Sequence, residues 1–200
     1  MLPVLRNGKN VVYSQNVRCH FLFEVVMISE AEIINQPYSG KFTERIYDNQ
    51  SPWNSSNWTW IKFTNHDFSQ WCGEFRGSPR EVAISPSLKT TLVLTSDYLY
   101  LLNSENGDIL EIEDQPQYHN LTVSPNGEYI IADYYNIEII TDSIKTKKQL
   151  TTPIKMDQIK FKNWENDKLI FICDEFLNWD RHLVMELDSS NSMIQIKNDI

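Results

Sequence analysis

Three carboxylates sit close together towards the C-terminal end, Asp174, Glu175 and Asp180, with Phe176 and Trp179 among them. Two such groups can divide acid and base work on a glycosidic bond, while nearby rings stack on a sugar. Tyr134 and Tyr135 supply further rings upstream. Their spacing alone does not separate that chemistry from a turn rich in Asp. The other reactive residues point away from catalysis. Cys19-His20 and His66-Asp67 are adjacent pairs, so on a strand their side chains face opposite ways and share no metal ion. His119 and His182 suit strand-edge hydrogen bonds, and Arg76-Gly77-Ser78-Pro79-Arg80 reads as a basic turn or ion-pair donor. The sequence holds no Gly-rich phosphate loop, HExxH, GxSxG or zinc-spaced Cys/His set. The expectation is no catalytic residue, no metal and no cofactor.

Charge is more informative. The net charge is −9, yet from Thr90 to Ile144 there is no Lys or Arg. That segment carries ten carboxylates, among them Asp97, Glu113, Asp114 and Asp133, so the remainder of the chain is close to neutral. A one-sign field of this kind repels phosphates and excludes nucleic acid as a direct ligand. It speeds the approach of a basic partner instead.

The residues that could meet such a partner must be positioned by β structure. The chain is rich in aromatic and β-branched residues, and three segments align with a period near 38. They are VAISPSLKTTLVLTSDYLYLLNSENGDILEIE (82 to 113), LTVSPNGEYIIADYYNIEIITDSIKTKKQL (121 to 150) and IKFKNWENDKLIFICDEFLNWDRHLVMELDSSNSMIQI (159 to 196). Each reads as strand, turn, strand, turn, strand, usually with a fourth strand. The first predicts strands at Val82–Ile84, Thr91–Thr95, Tyr98–Leu102 and Ile109–Ile112. WTWIKF and QWCGEF predict a hairpin upstream. Ile84, Leu92, Leu94, Ile130, Ile159 and Phe171 are the expected core.

Four strands per unit of about 40 residues mark a β-propeller blade. The stretches VAISPS…LVLTSDYLYLLNSENGDIL and LTVSPNGEYIIADYYNIEII resemble blades of the WD40-like and quinoprotein-like propellers, without the WD dipeptide or the Gly-His pair. The resemblance implies an all-β, single-domain chain: a small propeller-like array of four-stranded antiparallel meanders, four or five in number. Residues 1–57 read as irregular strands and loop, and 58–200 as the repeats. A β-sandwich is the alternative.

In such a meander the second-to-third turn shares an edge with the connection to the next unit. One rim then collects Asp97 and Tyr98, Asp133, Tyr134 and Tyr135, and Asp174, Glu175, Phe176, Trp179 and Asp180. The connection between units adds Glu113, Asp114 and Tyr118. Rings set among carboxylates suit an interface with a basic protein. The competing reading of each loop is an ordinary turn, with Asp satisfying backbone and Tyr half-buried.

No run approaches the roughly 20 apolar residues that cross a bilayer, and no secretory signal pattern opens the chain. Cys19, Cys72 and Cys173 suit free thiols in a reducing compartment. These features predict a cytoplasmic binding protein without membrane contact, monomeric before complex formation. In size, acidity and repeats it resembles bacterial immunity proteins, including those paired with EndoU-type ribonucleases of contact-dependent growth inhibition. The resemblance implies that an acidic rim takes the place of RNA phosphates on a cognate nuclease toxin. A carbohydrate-binding or glycan-processing propeller, with Trp179, Tyr134 and Tyr135 stacking on sugars, and a scaffold subunit of a larger complex are the alternatives.

Overall fold

A computed structural model describes residues 27–199. Within residues 1–57 the sequence has two strand-like runs, Asn10–Ser14 and Val17–Ser29; the first and most of the second, with Cys19 and His20, lie outside the described residues. Among the described residues sixteen strands form four sheets of four. Sheet 1 contains β1 (Ile28–Ile34), β2 (Thr43–Tyr47), β3 (Trp58–Asn65) and β4 (Gln70–Arg76). Sheet 2 contains β5 (Pro79–Ser85), β6 (Thr90–Thr95), β7 (Tyr98–Asn103) and β8 (Ile109–Asp114). Sheet 3 contains β9 (Asn120–Val123), β10 (Tyr129–Ala132), β11 (Ile137–Ile140) and β12 (Lys148–Gln149). Sheet 4 contains β13 (Met156–Glu165), β14 (Lys168–Glu175), β15 (Asn178–Asp188) and β16 (Met193–Asp199).

The chain is an all-β, propeller-like array, and the sandwich alternative falls away because four sheets succeed one another. Sheets 2, 3 and 4 are antiparallel meanders with strands in sequence order. Sheet 1 differs: its order is β1-β3-β4-β2, and β2 runs parallel to β4. Residues 28–57, read as irregular from sequence, thus contribute both edges of that sheet.

Alternation explains the packing. In sheet 2, Val93, Tyr100 and Leu102 face sheet 1 and share its core with Ile61, Phe63 and Phe75. Their neighbours Leu92, Leu94, Leu99 and Leu101 face the other way, onto Tyr129, Ile131 and Ile140 of sheet 3. Sheet 3 repeats the pattern, sending Ile130, Ala132, Ile137 and Ile139 towards Phe171, Leu183 and Met185 of sheet 4. A strand between two sheets buries both faces, so its two apolar sets merge into the near-continuous runs TTLVLT and YLYLL. The inner strands meet in succession, β1 on β5, β5 on β9 and β9 on β13. Side chains tie them further. Asn120 Nδ2 donates to Ile159 O and Asn120 Oδ1 accepts Phe161 N–H, both at 3.0 Å, and Trp164 Nε1 donates to Thr122 Oγ1 at 3.0 Å.

The Ser-Pro turns sit at the end of the array opposite the proposed rim. Ser124 Oγ accepts Glu128 N–H at 3.1 Å, and Gly127 takes a φ of +90°. Ser85 of the previous repeat donates its hydroxyl to Gly127 O. Asn126 Nδ2 reaches Ser189 O of sheet 4 at 3.2 Å. One turn therefore touches both neighbouring sheets.

Candidate partner-binding rim

The turn Asp133-Tyr134-Tyr135-Asn136 joins β10 to β11, and its geometry answers why its charge and rings occur together. Asp133 Oδ1 accepts the backbone N–H groups of Tyr135 and Asn136, each at 2.6 Å. Asn136 Oδ1 in turn accepts from Gln149 Nε2 at 2.7 Å. The carboxylate satisfies donors that a tight turn leaves unpaired. With the backbone so held, the two tyrosine rings project outwards, 42% and 49% exposed.

These rings continue into a strip. The His119 ring lies 4.3 Å from that of Tyr134, Tyr134 lies 6.4 Å from Tyr135, and Tyr135 lies 6.0 Å from Phe176. The last two contacts are edge-to-face, the arrangement that ring quadrupoles favour. Phe176 is 39% exposed, and Leu177 beside it stands well into solvent with a φ of +64°. Tyr135 and Phe176 also wall an open groove of about 560 Å³, with Asn136, Gln149, Thr152 and Lys155 around it. Three of the expected rim aromatics are therefore contiguous, although they come from turns about 40 residues apart.

Two expected rim residues are not at the surface. Asp97 is fully buried, accepting the hydroxyls of Ser51 and, at 2.6 Å, Ser96. Tyr98 is also buried, and its hydroxyl donates to Gln50 O. The segment leading from β2 to β3 lies over this turn, so both are structural and neither can touch a partner. Tyr118 is half-buried, donating to Glu138 Oε2 at 2.7 Å with Lys147 Nζ 5.1 Å above its ring. Burial, and then that bond to a carboxylate, push its hydroxyl pKa upwards.

Other rim carboxylates have internal partners. Glu113 pairs with Lys147. Asp174 Oδ1 meets His182 Nδ1 at 2.6 Å, and Glu175 lies 3.3 Å from Arg181. Asp114 and Asp180 are exposed, and Trp179 and Asp180 fall at the start of β15. The rim is thus more aromatic and less negative than the sequence count implies. Asn178 donates to Glu175 at 2.8 Å, and that bond is the main cause holding the Glu175 carboxyl below its ordinary range. A glycosidase acid requires the opposite shift. Among the described residues no group of three or more His, Cys, Asp and Glu is placed to hold a metal ion.

Sequence reasoning placed the connection ending at His119 on the rim but read His119 as a strand-edge hydrogen bonder, and it missed Arg80 as the residue that anchors that connection. Arg80 Nη1 donates to Pro116 O at 3.1 Å and to Tyr118 O, anchoring the connection that carries His119. Burial, with the Arg80 charge second, lowers the His119 pKa against the opposing pull of Asp133. The available signal was Arg80 itself, the last Arg before the acidic segment.

No protein-family model matches the sequence, and no curated protein matches it. Among solved structures the array overlaps with NirN, a dihydro-heme d1 dehydrogenase in complex with DHE, at 16% identity and a TM-score of 0.48, over 72% of this chain and 33% of that one. It overlaps with the N-terminal domain of Nup159 at 10% identity and a TM-score of 0.42, over 62% and 34%. For Hsv2 of Kluyvelomyces marxianus the values are 9% and 0.39, over 73% and 56%. The chain spans about a third of the first two and little over half of the third. Overlaps at this level convey neither activity nor partner.

Proposed function

We propose that this chain is a non-enzymatic binding module that lays its aromatic strip against a basic protein. The observation that carries the reading is the strip itself: four rings in succession from His119 to Phe176, bordered by carboxylates. A contiguous exposed apolar surface on a small protein usually marks an interaction site. Rings supply buried area at low rotamer cost, and surrounding charge sets approach and orientation. Asp114, Asp133 and Asp180 would take that second role.

The finer form of the proposal is a cytoplasmic immunity protein whose rim occludes the basic active site of a nuclease toxin. The net charge of −9 supports it. The direct test mixes the purified chain with a candidate nuclease domain, chosen from open reading frames beside its gene that end in a basic domain, and follows RNA cleavage. Equimolar chain is expected to stop cleavage, and a Tyr135→Ala/Phe176→Ala variant to restore it. Cleavage that continues at full rate with excess chain rejects the toxin as partner.

A further inference from the structure

The groove at the outer end of the strip differs from the rim in the sign of its charge. Its walls are the Tyr135 and Phe176 rings, set at 81° to one another. Its polar groups are neutral except for Lys155, which is exposed and makes no ion pair among the described residues. Gln149 spends one amide hydrogen on Asn136 and keeps its carbonyl oxygen and a second hydrogen. Thr152 donates to Ile154 O at 2.7 Å and keeps its lone pairs for an incoming hydroxyl.

We propose that this groove binds a pyranose sugar bearing a carboxylate, of the uronic or sialic acid class. The C–H face of the ring lies against Tyr135 or Phe176. Its hydroxyls meet the amides of Asn136 and Gln149 and the oxygen of Thr152, and the carboxylate meets Lys155. Each alternative occupant leaves something unsatisfied. A cationic side chain is repelled by Lys155, an apolar one leaves the remaining amide hydrogens of Asn136 and Gln149 and the Gln149 carbonyl oxygen unused, and a bare carboxylate leaves both rings in water. The site shares Tyr135 and Phe176 with the strip, so a sugar held there competes with a protein partner for the same two rings.

Calorimetric titration with glucuronate, N-acetylneuraminate, glucose and acetate at low salt tests the assignment. The acidic sugars are expected to bind, the tighter one identifying the class, with glucose weaker and acetate not measurable. Lys155→Gln should weaken the acidic sugar about two- to fivefold and leave glucose unchanged, as for one exposed ion pair. Tyr135→Ala should remove all sugar binding while the melting temperature holds. Failure of both acidic sugars to bind at millimolar concentration overturns the proposal. So does acetate binding as tightly as they do, or an unchanged acidic-sugar affinity in Lys155→Gln.

Discussion

The Asp133 carboxylate accepts the backbone N–H of Tyr135 at 2.6 Å, so the residue that brings negative charge to the rim also fixes the ring displayed there. Asp133→Ala removes this bond and that of Asn136, and should cost about 1–3 kcal/mol of stability in urea unfolding. Asp133→Asn keeps an acceptor and loses the charge, and should unfold near the wild-type midpoint. Charge reversal at this position alters turn and charge together.

Asp97 is the contrasting case. It lies inside, between the hydroxyls of Ser51 and Ser96. Asp97→Ala strands the buried Ser51 hydroxyl and frees the partly buried one of Ser96, and should destabilise the protein by about 1–3 kcal/mol. Partner affinity, measured under conditions where the variant stays folded, should not change.

Gly127 is constrained twice. Its φ of +90° disfavours any side chain, and a Cβ there would overlap Ser87 Oγ. Gly127→Ala should therefore cost more than about 1 kcal/mol. Adding Ser87→Gly should recover part of the loss, because it relieves the overlap and leaves the backbone strain. Melting temperatures of the two variants decide this.

The His119 pKa is lowered by burial first and by Arg80 second. Below its ordinary value near 6.5 the unfolded chain then binds more protons than the folded one. Stability from this group is complete above about pH 6.5 and declines as the pH falls through the folded value. Asp133 and Tyr134 face the same ring. His119→Gln should flatten the urea midpoint between pH 5 and 7.5 relative to wild type, on the order of the usual histidine range.

The strands were legible wherever their causes are local. Thr90–Thr95 and Tyr98–Asn103 fall within a residue or so of the expected spans, because alternation and the Ser, Asn and Gly turns set them. The parallel pairing of β2 with β4 was not legible, since no turn joins the two and only the folded sheet brings them together. The rim divides on the same line. Tyr134, Tyr135 and Phe176 stand out as rings in turns. The covering of Asp97 by Ser51, and the pairing of Glu113 with Lys147, depend on segments 46 and 34 residues away.

The most direct test is quantitative capture from the native host on immobilised wild-type chain and on a Tyr134→Ala/Tyr135→Ala/Phe176→Ala variant. An Asp114→Lys/Asp180→Lys variant reports the charge contribution, and Met193→Ala on β16 serves as a surface control. The account predicts a basic protein held by wild type and by Met193→Ala, lost on the triple variant, and slower to associate with the lysine variant at low salt. Equal capture of that protein by wild type and the triple variant would contradict it.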